Sequence, residues 1–210
     1  GKISIQSPSA GAIVECLGIE RGDVVLSVCA APGTKTLQLA NLVGVNGFVY
    51  ASDLSSDRVS YGQMDEKRHR KKNIKWSLKD ARKDNYVIAD KILIDAPCSG
   101  TGVIGRRTDI RWRRRESDLK KFANVQLSIL NNCSKYLKKG GALVYATCSI
   151  EPEENLMVVD KFLNLNSNFV VDKIPNNVPR QWVKDNKTLN VFPHQHGLDG
   201  MFAIRMKKIF

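Results

Sequence analysis

Short apolar runs rich in β-branched residues alternate along this chain with longer stretches whose apolar positions recur at helical spacing. DVVLSVCA (23–30), bounded by Gly22 and Pro32-Gly33, reads as a strand, and TKTLQLANLV after it as a helix. GFVYASD (47–53) is strand-like again, and the polar SDRVSYGQMDEKRHRKK is helical. IKWSLKDA and KILIDAP (91–97) follow as strands, then a helix from about Asp118 to Leu137 that Gly140-Gly141 ends. ALVYATCS (142–149) is a further strand, Glu151-Pro152-Glu153-Glu154 starts a helix, and MFAIRMKK closes the chain as a strand. Strands alternating with helices predict an α/β fold with a doubly wound, mostly parallel sheet. The near-continuous apolar character of the strands agrees, because such a sheet is covered on both faces. The polar stretch from Pro175 to Asp199 reads as a long loop.

Length and composition narrow this to one domain over 1–210 with a short lead-in at 1–22, since 210 residues with 42% hydrophobic content suffice for a single core. No apolar run is long enough to cross a bilayer, and GKISIQSPSAG lacks a secretory pattern. Five irregularly spaced cysteines do not make a disulfide framework. A cytoplasmic, reduced chain with no membrane association is expected, and a monomer.

Net charge changes the picture more. At +12 the chain expects a polyanionic partner. The charge is concentrated in KRHRKK (67–72) and RRTDIRWRRR (106–115). In the second run Arg111, Arg113, Arg114 and Arg115 surround Trp112, a combination suited to a nucleic-acid backbone and an unstacked base. Trp112 is expected to contact RNA or to pack.

Candidate chemistry gathers at strand ends. In open α/β sheets, ligands bind beyond the carboxyl ends of the strands. The first strand ends in CAAPGTKT, neither a GxGxxG nor a GxxxxGK[ST] pattern, so no phosphate cradle is expected. Asp53, Asp80 and Asp95 end the next three strands. Three such acids suit a ribose, an adenine and a cationic group, which S-adenosylmethionine combines. Cys98, in DAPCSGTG, follows one strand, and Cys148, in YATCS, ends the next. Neighbouring strands lie about 5 Å apart, so both thiols open onto the cofactor's rim. Cys16 and Cys133 read as small core residues, and Cys29 as packing against the cofactor loop. Without a CxxC, and with three histidines, no metal site is expected. His69 reads as a surface residue, His194 and His196 as loop residues, and Glu153 and Glu154 as helix-cap acids.

CAAPGTKT, DAPCSGTG, IRWRRR, YATCSIEPEEN and HGLDGMFAIR together resemble the RNA cytosine-5 methyltransferases, the group of the bacterial RsmB-type and eukaryotic NSUN enzymes. The likeness runs from about Ile3 to Lys208 in family order. It implies a class I methyltransferase fold: a seven-stranded, Rossmann-like, mostly parallel sheet with a C-terminal antiparallel strand. It implies S-adenosylmethionine as cofactor and RNA as substrate, rRNA first and tRNA second. Cys29, Ala30, Ala31, Pro32, Gly33, Thr34 and Lys35 would wrap the cofactor. Asp53 would hold its ribose with Arg58 nearby, Asp80 would lie near the adenine, and Asp95 between cofactor and target base. Lys35 and Asp95 would contact the cytosine. Cys148 would be the nucleophile and Cys98 would assist product release. Ser27 and Thr34 stand where the family has an acid and a glycine, Ser7 where it has an aspartate, and RRTDIRW lacks the family's proline.

The resemblance fits the chemistry. A thiolate added to carbon 6 of cytosine breaks the ring's aromaticity and makes carbon 5 nucleophilic toward a methyl donor. Two alternatives remain at this stage. One is a noncatalytic RNA-binding protein on a methyltransferase scaffold. The other is DNA cytosine methylation, with Cys98 as nucleophile.

Overall fold

The computed structural model describes residue 1 and residues 3–210; Lys2, within the lead-in, lies outside the described residues. Strands β1 (Val24–Val28), β2 (Phe48–Asp53), β3 (Ile74–Leu78), β4 (Ala89–Asp95) and β5 (Leu137–Thr147) form a parallel sheet. β6 (Phe169–Val171), β7 (Val183–Lys184), β8 (Thr188–Val191) and β9 (Met201–Lys208) extend it. The order is β3-β2-β1-β4-β5-β9-β8-β7, with β9 antiparallel to β5 and β6 pairing β9.

Alternation along the strands builds two cores. Val25, Leu93 and Val144 face α1 (Pro8–Glu15) and α2 (Thr34–Leu42). Leu26, Ile92 and Leu143 face α5 (Glu116–Cys133) and α6 (Leu156–Leu165). Leu26, Ile92 and Leu143 are completely buried, and such side chains contribute about 1.5–3 kcal/mol each. α3 (Ser56–Arg68) packs on β2 and β3, where Gly62 meets the Trp76 ring so closely that a Cβ would lie 2.4 Å from it. The one-turn helices α4 (Ile110–Arg113) and α7 (Pro193–His196) lie in the loops after β4 and β8.

The expected fold class holds, and the departures are local. The sheet has nine strands where seven were expected. The extra pair is the β7–β8 hairpin, in the segment read as a loop from Pro175 to Asp199. Asp185 and Asn186 turn that hairpin with φ of 52° and 56°, a region Asp and Asn tolerate better than most residues. Leu189 and Val191 are buried there because β8 adds to β9, a pairing no local pattern reveals. The lead-in contributes α1, whose Ile13 and Val14 are fully buried, as is the following Leu17. α5 stops at Cys133, not Leu137; a 3-10 turn follows and β5 begins at Leu137, ahead of Ala142. Asp80 lies two residues beyond β3 instead of ending it.

Candidate active site

Asp95 pairs in register with Ala146 where β4 and β5 end, and the Ala96 amide donates to Ala146 O at 2.9 Å. The two chains therefore leave the sheet together, and the Sγ atoms of Cys98 and Cys148 lie 3.1 Å apart. The Gly102 amide donates to Cys148 O at 3.0 Å, and the Gly200 amide to Gly102 O at 2.8 Å. A Cβ on Gly102 would stand 2.6 Å from Gly200 O and 2.8 Å from Cys148 O. The second glycine of DAPCSGTG is thus required by a backbone approach to the Cys148 loop.

The two thiols differ electrostatically. The hydrogen bond with Cys98 holds the Cys148 thiol below the ordinary range against the opposing effect of burial, and the charges of Lys35 and Arg107 act in the same direction as the bond. The same bond pushes Cys98 well above that range, and burial adds to it. Of the two, Cys148 is the thiol biased toward ionisation, and Cys98 is the one biased toward keeping its proton and donating it in their bond. Cys16 and Cys133 are buried and pushed up to about 12 by desolvation, as inert core thiols should be.

Behind the thiols lies a polar cluster that the sequence did not announce. Glu154 is a correction: it is no exposed cap acid but is fully buried. Its carboxylate accepts from the Ser99 amide at 2.8 Å, from the Ser99 hydroxyl, and from Gln126 Nε2 at 3.0 Å. Gln126 also donates to Pro97 O at 2.9 Å, and the Tyr145 hydroxyl to Glu154 O at 2.6 Å. These bonds grip the residues on both sides of Cys98. Asn155 does the same for Cys148, accepting from Thr147 Oγ1 at 2.6 Å and donating to Ser149 O at 2.9 Å. The available signal was a glutamine among apolar positions of a helix and an acid six residues after the cysteine. Glu153 is exposed.

Beside the thiols, Lys35 Nζ on the first turn of α2 meets the Asp95 carboxylate at 2.8 Å. Ser27, in the family's acid position, pairs its hydroxyl with Thr36 at 3.0 Å and so ties β1 to α2. The loop between them turns at Cys29 (φ 56°) and Gly33 (φ 115°) and includes a cis Ala31–Pro32 bond. A Cβ on Gly33 would lie 3.0 Å from the Trp76 ring, and Gly33 precedes Thr34 at the helix start. Asp53 is buried; its carboxylate accepts from the Ala31 amide at 3.1 Å and the Ser55 amide at 3.2 Å, with Arg58 at 3.6 Å. Arg58 also donates to Ala31 O.

A cavity of about 550 Å³ opens here, lined by Cys29, Asp53, Arg58 and Asp80 on its polar side and by Ala81, Pro97 and Ile129 on its apolar side. That volume suits a small-molecule or cofactor site. A buried carboxylate at one end and apolar walls at the other fit a nucleoside-bearing cofactor. Of the stretch from Cys29 to Lys35, only Cys29 lines this cavity; Ala30, Ala31, Pro32, Gly33 and Thr34 shape the turn beside it. Asp80 is engaged by Arg82, at 2.8 and 2.7 Å, and that bond holds its carboxyl at about 2.

The basic run after β4 divides in two. Trp112 is 89% exposed, so the packing alternative falls away. Arg111 and Arg115 are exposed, and Arg113 pairs loosely with Asp109 at 3.4 Å. Arg114, exposed as well, differs in contacting the protein: its Nε donates to Ser99 O at 2.9 Å and its guanidinium lies 4.8 Å over the Phe122 ring. It props the Cys98 loop. His69 is half-buried, with Nε2 lacking a partner among the described residues, which corrects its surface reading. His194 and His196 stand on α7, where His196 Nδ1 accepts from the Phe192 amide at 2.9 Å. No helix is long and apolar enough to cross a membrane among the described residues.

A mostly parallel sheet closed by an antiparallel final strand, with its site at the carboxyl ends, is the class I methyltransferase arrangement. Within that class, the family model described as 16S rRNA methyltransferase RsmB/F matches residues 14–207, and the chain belongs to that family. The probable ribosomal RNA small subunit methyltransferase B of Bacillus subtilis is 36% identical over 217 residues, which cover 99% of this chain and 48% of that protein. NSun6 from Pyrococcus horikoshii, solved with SFG, superposes with a TM-score of 0.86 at 30% identity, covering 98% of this chain and 53% of that one. A methyltransferase homologue from Pyrococcus horikoshii superposes with a TM-score of 0.79 at 29% identity, over 98% of this chain and 68% of that one. The chain spans about half the length of the curated relatives it matches.

Proposed function

We propose that this chain is the catalytic core of an S-adenosylmethionine-dependent methyltransferase acting on carbon 5 of a cytosine in RNA, with small-subunit rRNA as the substrate class. The single observation that carries the chemistry is the thiol pair, one thiol depressed and one raised, at 3.1 Å. The RNA class rests on family membership and the exposed Trp112 with its arginines.

The cofactor assignment rests on the cavity and on the SFG, an S-adenosylmethionine analogue, in the Pyrococcus horikoshii neighbour. Asp53 would accept from ribose hydroxyls, with Arg58 bracing it. Ala81, Pro97 and Ile129 would cover the purine. When bound, the cofactor supplies an electrophilic methyl group.

The chain's own groups do the rest. The Cys148 thiolate attacks carbon 6, forming an S–C bond and moving electron density toward carbon 5 and the ring nitrogen. Asp95, paired with Lys35, is placed to accept from the exocyclic amino group of the base, and the Lys35 ammonium to support the negative charge that develops on the ring. Adduct formation removes the thiolate whose hydrogen bond kept Cys98 protonated. Cys98 then passes its proton to solvent water and, as thiolate, takes the proton from carbon 5 once that carbon carries the methyl group. The carbon–hydrogen electrons restore the double bond and expel Cys148. Trp112 and the free arginines would hold the flanking RNA.

The test is to incubate the chain with S-adenosylmethionine and either 16S rRNA or tRNA, then quantify nucleosides by mass spectrometry. 5-Methylcytidine in 16S rRNA is expected, lost in Cys148→Ala. RNA binding without methyl transfer would favour the noncatalytic scaffold, and methylation confined to tRNA would move the substrate class.

A further inference from the structure

The basic run at 67–72 takes no part in the site above, yet its last three residues line a second cleft. This cleft, about 660 Å³, lies between the end of α2, the turn into β2 and the turn from α3 into β3. Its polar lining is Asn41, Asn46, Asn73, Arg70, Lys71 and Lys72, with no carboxylate. It sits at the amino ends of β2 and β3, the rim opposite the thiols. Five residue steps along β2 lead from Phe48 at the cleft to Asp53 at the cofactor cavity, about 17 Å at strand rise.

Three features mark this cleft as a built cationic site. First, its cations are free. Arg58, Arg68, Arg82, Arg106 and Arg113 each have a carboxylate within 4 Å. Arg70, Lys71 and Lys72 have none among the described residues; Lys71 donates to Asn41 instead. Like charges repel, so an uncompensated trio in a concavity focuses positive potential toward an incoming anion. Second, Arg70 takes φ of 53°. Helices end in this left-handed conformation at lower cost with glycine or asparagine. An arginine kept there brings its charge to the cleft despite the backbone strain. Third, Arg21, from the turn before β1, lies against Gly44 at the cleft mouth, its Cδ 4.0 Å from where a Gly44 Cβ would be.

We propose that this cleft binds the phosphate backbone of the substrate RNA at a point remote from the reacting cytosine. The proposal rests on the RNA reading above and extends it to the opposite rim. A polyanion with charges spaced along its length can engage both this trio and Arg111–Arg115. The Asn46 side chain and the Asn41 amide nitrogen can meet ribose hydroxyls, which an acidic peptide lacks, while Asn73 holds the turn by donating to Ala40 O and Gly44 O.

The test uses the 210-residue chain carrying Arg70→Gln, Lys71→Gln and Lys72→Gln together. Binding of a 16S rRNA transcript is measured by filter retention from low to high potassium chloride. Affinity should fall about 10-fold or more, and the log–log salt slope should shrink by about 2–3, as three released counterions require. The KM for rRNA should rise about 10-fold with kcat within about twofold. Calorimetric S-adenosylmethionine binding and the thermal midpoint should not move. An unchanged slope overturns the proposal. So does loss of polyglutamate retention with rRNA affinity intact, which would assign the cleft to an acidic protein. If the unsubstituted chain itself shows no salt-dependent RNA binding, the RNA reading fails and takes this proposal with it.

Discussion

Cys98 and Cys148, fifty positions apart in sequence, bring their sulfurs to 3.1 Å across the ends of neighbouring parallel strands. The bond makes Cys148 the better nucleophile and Cys98 the better proton holder, so the two should fail differently. Cys148→Ala should form no covalent RNA adduct and no product. Cys98→Ala should still attack and methylate, then stall with the carbon 5 proton in place. A denaturing gel of each variant with RNA and cofactor should show a slow band only for Cys98→Ala. The reverse pattern would make Cys98 the nucleophile.

The same bond predicts a pH shift. Cys148 titrates low because Cys98 donates to its thiolate, so removing the donor must raise its pKa. The rate of iodoacetamide labelling at Cys148, followed by peptide mass, should rise with pH to a midpoint below the ordinary thiol range. In Cys98→Ala that midpoint should move up, making labelling near neutral pH slower. A midpoint that stays put would mean Lys35 and Arg107 carry the depression.

Asp53 holds the Ala31 amide and faces the cofactor cavity. Asp53→Ala should weaken S-adenosylmethionine binding by about 10²-fold, the scale of a lost charge-assisted pair. Calorimetry measures it, and an unchanged dissociation constant would remove Asp53 from the site.

Glu154→Ala should leave the Ser99 amide buried without its acceptor and one of the two Gln126 amide hydrogens unpaired, the other keeping Pro97 O. Each orphaned donor costs about 1–3 kcal/mol, so urea unfolding should show a loss of about 2–4 kcal/mol. Glu154→Gln keeps one acceptor and should lose less. Equal stability in all three proteins would contradict the burial of this carboxylate.

At the exposed run, Trp112→Ala should weaken RNA binding by about 1–3 kcal/mol if a base stacks on it. Replacing Arg111, Arg113 and Arg115 with glutamine should flatten the salt slope. Arg114→Gln should instead lower thermal stability, because its guanidinium supports Ser99 O. A melting midpoint equal to the parent's would return Arg114 to the RNA-facing set.

Much of the site was legible along the chain because a parallel sheet sends every strand's carboxyl end to one rim. Residues that end apolar runs, Asp53, Asp95, Cys98 and Cys148, therefore meet whatever the connections do. Lys35 reaches Asp95 for the same reason, one turn into the helix after the first strand. Tertiary structure alone decided which polar groups are buried. Glu154 binds Ser99 across 55 positions and Arg114 turns toward Ser99 across 15, so neither pairing has a local signature. The β7–β8 hairpin exists because β9 offers it an edge, and Gly102 is needed because Gly200 arrives from nearly a hundred residues away. Charge runs at 67–72 and 106–115 look alike in sequence. The fold sends them to opposite rims and pairs some of their arginines while leaving others free, since pairing depends on which carboxylates the fold brings within reach.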